Sequence, residues 1–286
     1  MRPEAAEKIE GFLRALRAGA GPVLLLDYDG TLAPFHLDRF QARPWAGVRE
    51  LLEEIRQQGR TRMAVVSGRP AEEIRPLLGL EPPLEIWGLH GVERVRPDGR
   101  RELERIAPET LEELERLGAR LENESLDGLL ERKPNALAVH WRGVAPERAA
   151  EIERKTRALF EPAAGRGGLK LLQFEAGLEL RAGRNKGGAV EALLAEELAR
   201  GAGAPAVAYL GDDFTDEEAF RVVNRAAGAH LSVLVRTEWR ETEADAWLRP
   251  PEELLGLLRG WVAALRGYAA DAVAPEGAVR TDGLPA

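Results

Sequence analysis

The sequence predicts an α/β protein: a Rossmann-like, doubly wound parallel sheet with a smaller α/β cap domain inserted into it. Three observations carry that expectation. From residue 23 to 90, short apolar runs alternate with stretches of helical periodicity. Between about 105 and 183 the strand-like runs switch to alternating apolar and polar residues. After 184 the first texture returns. Continuous apolar runs suit parallel strands covered on both faces, and alternation suits a sheet with one wet face.

The elements follow in order. Ile9, Phe12, Leu13 and Leu16 recur at helical spacing within MRPEAAEKIEGFLRALRAG, an amphipathic helix and no signal peptide, because Glu4, Glu7, Glu10 and the arginines interrupt it. Val23–Leu26 reads as the first buried strand. Trp45, Val48, Leu52 and Ile55 mark a helix ending near Gly59, and Met63–Val66 a second strand running into SGR at 67–69. A helix over 70–79 and a strand over Leu84–Trp87 complete a βαβαβ series, whose crossovers are right-handed. A charged helix from Leu111 to about Glu122 opens the cap. The alternating strand ALAVHWR (136–142), a helix over Pro146–Phe160 and a hairpin of LLQF and LELR about Ala176–Gly177 follow. The core resumes with a helix after Asn185–Lys186, strands over Ala206–Leu210 and Leu231–Val235, and a helix over 251–267. The expected domains are core 1–104, cap 105–183, core 184–267, and a tail over 268–286 without periodicity.

Composition narrows the function. The 286 residues carry 44% hydrophobic and 31% charged side chains, an ordinary globular balance. A net charge of −8 argues against nucleic acid as the main partner, since phosphate backbones call for a basic surface. The absence of cysteine removes disulfide and thiolate chemistry. No apolar run approaches the ~20 residues needed to span a bilayer, so a cytoplasmic protein without membrane attachment is expected. The oligomeric state is left open, and a monomer is compatible with everything read here.

The chemistry concentrates at strand ends. In VLLLDYDGT (23–31) Asp27 and Asp29 stand one residue apart at the mouth of the core. Residues i and i+2 share a side, and two like charges so placed repel. A divalent cation resolves that conflict, and hard oxygen ligands suit Mg²⁺. GDDFTDE (211–217) adds Asp212, Asp213 and Asp216, again directly after a strand. Ser67 offers a hydroxyl and Gly68 an unobstructed N–H to phosphate oxygens. Lys186, in a chain otherwise poor in lysine, opens a helix where it adds positive charge beside an anion. These parts suit phosphoryl transfer through an aspartate nucleophile. In the cap, His140 and Arg142 share the face opposite Leu137 and Val139, and Glu179 and Arg181 face away from Leu178 and Leu180. A sheet face bearing acids and bases suits a polyhydroxylated ligand.

DYDGTLAPF, VVSGR, NKG and GDDFTDE resemble the four signature motifs of the haloacid dehalogenase superfamily of phosphatases, in the expected order. More narrowly, DYDGTLAP, LHG (89–91), E-x-K (Glu131, Lys133), HWR (140–142) and LELR (178–181) are similar to trehalose-6-phosphate phosphatases, over roughly residues 20–265. The resemblance implies a Mg²⁺-dependent enzyme acting on a small sugar phosphate through an aspartyl-phosphate. Asp27 is then the nucleophile and, with Asp212, a metal ligand. Asp29 lends its backbone carbonyl to the metal and its side chain as acid and base. Asp213 and Asp216 hold metal-bound water or orient Lys186, while Ser67, Gly68 and Lys186 hold the phosphoryl group. Glu131, Lys133, His140, Arg142, Glu179 and Arg181 are the implied sugar-binding set. His90 in GLHG follows a strand at the same edge. The family's usual proline after the LELR arginine is Ala182 here, which bears on the sugar side alone. The core leaves other substrates open, namely sucrose, glucosylglycerol or glucosylglycerate phosphates. Receiver domains, which also phosphorylate a strand-end aspartate, are about half this length and lack the second Asp.

Overall fold

The computed structural model describes residues 3–273 apart from 20, 37, 125, 127, 128, 175 and 202. In chain order the elements are α1 (Pro3–Arg17), β1 (Pro22–Leu26), α2 (Val48–Gln57), β2 (Arg62–Val66), α3 (Ala71–Leu78) and β3 (Glu85–Gly88). Then come β4 (Glu93–Val95), β5 (Arg101–Leu103), α4 (Pro108–Asn123), β6 (Leu130–Lys133), β7 (Ala136–His140) and α5 (Pro146–Phe160). The chain continues through β8 (Lys170–Phe174), β9 (Gly177–Arg181), α6 (Lys186–Ala199), β10 (Ala206–Gly211), α7 (Glu217–Val223), β11 (His230–Val235), β12 (Ala246–Leu248) and α8 (Glu252–Val273).

Why β1 is apolar at every position is visible in its packing. Leu24 and Leu26 point into a core shared with Phe12, Leu52 and Trp261, while Val23 and Leu25 point into the opposite one, with Val190, Leu193 and Phe220. A strand buried on both faces has no position left for a polar side chain. The main sheet runs β12-β11-β10-β1-β2-β3-β4-β5. It is parallel from β12 to β3, and β4 and β5 add an antiparallel edge. The chain moves from β1 outward through β2 and β3, then returns to place β10 on the other side of β1. That reversal opens a crevice beyond the carboxyl ends of β1 and β10, where ligands bind in sheets of this kind.

The second sheet, β6-β7-β9-β8, is antiparallel throughout. Its dry face carries Leu137, Val139, Leu178 and Leu180, packed against Leu114, Leu117 and Leu121 of α4 and Ile152 and Phe160 of α5. Period-2 alternation in β7 and β9 marks that apolar face, but the opposite face is not wet as the sequence suggested: Ala138, Glu179 and Arg181 on it are buried too, because it lies against the core.

Some elements differ from the sequence reading. Strands β4, β5 and β12 have three residues each, too short to show a period. Trp45 precedes α2 rather than belonging to it. Helix α8 continues six residues beyond 267 into the segment expected to be tail, because YAADAV holds no helix breaker. The rest of that tail, 274–286, lies outside the described residues. No helix among the described residues is long and apolar enough to cross a membrane.

Candidate active site

Four strand ends and one helix start meet at the crevice. β1 ends at Leu26 and delivers Asp27, whose N–H donates to Leu210 O on β10 at 2.8 Å. β10 runs directly into Asp212, so the two aspartates share neighbouring parallel ends. Gly30 has φ +82°, and a Cβ there would strike the Asp212 carboxylate, so only glycine fits this turn. Ser67 follows directly on β2, and β3 leads to His90. A Cβ on Gly68 would lie 2.7 Å from the His90 ring, so glycine is required there too.

Lys186 opens α6, whose N-cap Asn185 accepts from the Gly188 N–H at 2.7 Å. The buried ammonium donates to Asp27 Oδ1 at 2.6 Å and Asp216 Oδ1 at 2.7 Å. Burial works against the ammonium, but Asp216 and Asp27 outweigh it and raise its pKa. For Asp27, burial dominates the pull of Lys186, and with Asp216 and Asp29 adding repulsion the carboxyl is pushed up to about 7. Asp212 is also pushed well up, by burial and then by Asp27 and Asp216.

Asp27, Asp212 and Asp216 each offer a carboxylate oxygen within 4.8 Å of the others. A buried, oxygen-only, net-negative set of this kind fits a hard divalent cation, which would remove the repulsion. Asp216 is nevertheless occupied on both oxygens. Oδ1 accepts from Lys186 and from Tyr209 Oη at 2.6 Å, and Oδ2 accepts from the Asp212 and Asp213 N–H groups at 3.1 and 3.0 Å. Its visible task is to hold the lysine and shape the loop. Asp213 lines the cleft and caps the turn Phe214–Asp216, accepting from the Phe214 N–H at 2.7 Å. The Asp29 carboxylate stands apart from the acidic cluster. Arg69 grips it twice, Nε to Oδ2 at 2.7 Å and Nη2 to Oδ1 at 2.5 Å.

The cap supplies the opposite wall through Glu131, Lys133, His140 and Glu179, with Leu172 and Phe174 of β8 as its apolar part. Lys133 Nζ donates to Glu179 Oε2 at 2.7 Å. Burial works to raise Glu179, but Lys133, with Arg181 adding to it, outweighs burial and holds the carboxyl at about 2. Glu131 is held at about 2, chiefly by His140, whose Nε2 lies 3.0 Å from Oε2. Its other oxygen accepts from Arg39 Nη1 at 2.8 Å, a contact from the core across the cleft.

Two members of the sequence-derived sugar set lie outside the cleft lining. Arg142 stacks over the Phe35 ring, 5.4 Å from its centroid. Arg181 does share a face with Glu179, as alternation requires, yet it is fully buried, with Nη2 3.4 Å from Glu218 of α7. The strand end has passed under the core, so its face is covered there. Conversely, Phe35, Arg39, Arg69 and Thr215 line the cleft without being anticipated. Phe35 and Arg69 stand inside the motifs DYDGTLAPF and VVSGR, which was the available signal. Arg39 meets Glu131 across 92 positions, and no local pattern encodes such a contact.

The sequence matches the family description Trehalose-phosphatase over residues 25–249. A trehalose-phosphate phosphatase of Mycolicibacterium paratuberculosis is 33% identical over 241 residues, covering 82% of this chain and 59% of the relative. The chain thus spans less than two thirds of that relative's length. Among solved structures, the C-terminal domain of C. albicans trehalose-6-phosphate phosphatase has the same fold, with a TM-score of 0.74 at 21% identity over 88% of this chain and 96% of that one. Trehalose-6-phosphate phosphatase of Aspergillus fumigatus matches with a TM-score of 0.65 at 28% identity, covering 88% and 97% of the two chains. With the match spanning both the acidic crevice and the inserted sheet that walls it, the chain belongs to the trehalose-phosphatase family.

Proposed function

We propose that the protein is a Mg²⁺-dependent phosphatase that hydrolyses trehalose 6-phosphate to trehalose and phosphate, the last step of trehalose synthesis, in the cytoplasm. The observation that carries the chemistry is the buried Asp27 carboxylate, facing the cleft and held by Lys186 at 2.6 Å. Family membership carries the substrate.

Asp27 attacks phosphorus, forming an acyl-phosphate bond as the bond from phosphorus to the sugar oxygen breaks. Asp29, at the cleft edge beside Arg69, gives its proton to the leaving oxygen. It then takes a proton from the water that cleaves the aspartyl-phosphate, which restores both carboxyl groups. Ser67, the Gly68 N–H and Lys186 hold the phosphoryl group, and Asp216 keeps the lysine aimed. Asp27 and Asp212, with the Asp29 backbone carbonyl, would hold Mg²⁺, and the ion supplies positive charge against the phosphoryl oxygens. Across the cleft, Glu131, Lys133, His140 and Glu179 receive the sugar hydroxyls, and the lining ring of Phe174, 5.1 Å from His140, offers them an apolar floor. Arg181 backs that wall behind Glu179, and Arg142 backs the cleft-lining ring of Phe35.

Phosphate release from a panel of sugar phosphates, with and without Mg²⁺, tests the reading. Trehalose 6-phosphate is expected to lead sucrose, glucosylglycerol and glucosylglycerate phosphates, with turnover abolished by a chelator. Asp27→Asn is expected to lower kcat by at least 1,000-fold, in line with the loss of a covalent nucleophile, roughly 10³ or more. An asparagine variant as fast as the wild type removes Asp27 from the mechanism.

A further inference from the structure

His90 lines the cleft without a part in the chemistry above. It belongs to the core, at the end of β3, yet its ring reaches the cap. Leu89 and His90 both adopt left-handed backbone, at φ 50° and 57°, and this conformation costs energy for residues with a Cβ. The His90 N–H donates to Ser67 O at 2.8 Å and the Leu89 N–H to Arg69 O at 3.0 Å, which hold the strained turn in place. Its ring is buried and lies directly on Gly68. Nδ1 has no hydrogen-bond partner among the described residues. Burial keeps the imidazole neutral against the pull of Glu179, aided by Arg181, Lys133 and Lys186.

The relation to Glu179 is the informative part. His90 Nε2 stands 3.5 Å from Glu179 Oε1, too far for a good hydrogen bond. The other carboxylate oxygen is taken by Lys133 at 2.7 Å. Both His90 and Glu179 line the cleft, and an oxygen can sit about 2.8 Å from each of the two facing atoms. A carboxylate only accepts, and a neutral imidazole facing it carries its proton on Nε2. The group that fits between them must donate to one and accept from the other, which is what a hydroxyl does.

We propose that His90 Nε2 and Glu179 Oε1 share one hydroxyl of the substrate's phosphorylated sugar ring, which makes His90 a specificity-determining residue. The ring lies on Gly68, beside the phosphoryl-holding groups, so the shared hydroxyl belongs to the sugar that bears the phosphate and not to the distal one. This rests on the sugar-phosphate reading of the cleft. It goes beyond that reading by assigning recognition of the proximal ring to a residue of the core.

The test measures kcat/KM on trehalose 6-phosphate and on analogues that each lack one hydroxyl of the phosphorylated ring. With the wild type, one analogue is expected to fall about 10- to 100-fold, the range for a hydrogen bond to a charged partner. His90→Asn, chosen because asparagine tolerates left-handed backbone, should lose a similar factor on the parent and little more on that analogue, since side chain and hydroxyl act as one pair. Glu179→Gln, a second variant independent of the strained turn, should show the same convergence. The His90→Asn loss on p-nitrophenyl phosphate, which has no sugar ring, should be at least tenfold smaller than on the parent. Equal reactivity across all analogues, or an equal His90→Asn loss on every substrate, overturns the proposal alone. A wild type that hydrolyses no sugar phosphate better than p-nitrophenyl phosphate overturns the functional reading with it.

Discussion

At the scale of single residues, the cleft is organised by which carboxylates have a cation nearby. Asp27 and Asp216 share Lys186, and Asp29 has Arg69. Asp212 has no such salt bridge among the described residues, and burial with two neighbouring carboxylates pushes its carboxyl well above the ordinary range. An acid whose folded pKa is raised weakens the fold as pH climbs from its unfolded value, near 3.9, toward the folded one. Asp212→Asn removes that penalty. Without divalent cation at pH 8, the variant is expected to be the more stable of the two, with the gap shrinking toward pH 4. Adding Mg²⁺ should raise the melting temperature of the wild type and leave the variant nearly unmoved. Melting curves at two pH values, with and without Mg²⁺, check both halves. A variant that melts below the metal-free wild type at pH 8 refutes the account.

At the scale of elements, β9 shows how one strand serves two purposes. Leu178 and Leu180 anchor it in the cap core, while Glu179 between them enters the cleft and meets Lys133 of β6. Period-2 alternation made that division legible in LELR, as it did for His140 against Leu137 and Val139 in β7. The same pattern placed Arg181 with Glu179, and there it was insufficient. Alternation assigns a side of the sheet, but only the neighbouring α7 decides whether that side is open or covered. The Glu179 carboxyl, held at about 2, contributes stability that is complete above its unfolded pKa near 4.3 and lost as pH falls through 2. Between pH 5 and pH 2.5, still above the folded pKa, the wild type is expected to lose about 2 kcal/mol that Glu179→Gln does not lose. Urea midpoints at pH 5 and pH 2.5 measure the difference. Parallel slopes for the two proteins would mean that the pair contributes nothing to pH-dependent stability.

Across the whole molecule, buried charge is not confined to the cleft. Away from the cleft, Glu85 accepts from Arg62 and Arg94, and Arg94 also donates to both oxygens of Glu196 on α6. These residues tie the β2–β3–β4 edge to α6 and line no part of the cleft. Removing Arg94 leaves Glu85 and Glu196 still bonded to Arg62, so no buried charge is stranded and the loss is that of the charge-assisted bonds alone, about 2 kcal/mol. Arg94→Ala is therefore expected to lower the unfolding free energy by about that amount while leaving kcat within twofold of the wild type. Chemical denaturation and steady-state rates on the same preparation check it, and a parallel collapse of kcat would place this network in the mechanism.

The sequence by itself determined the class of fold and the strand ends at which the cleft's acidic residues stand. A parallel strand buried on both faces leaves an unmistakable apolar run, and the first polar residues after it must lie at the sheet's carboxyl edge. Asp27, Ser67 and Asp212 were thus located by strand ends alone, and Lys186 by the helix that begins at it. Tertiary structure alone decided everything that depends on contact between segments distant in the chain. It brought Arg39 to Glu131, closed Arg69 on Asp29, covered Arg181 with α7 and set His90 3.5 Å from Glu179. Local periodicity reports which way a side chain faces. What it meets there is set by the docking of the cap sheet on the core, and no short window of sequence contains both partners.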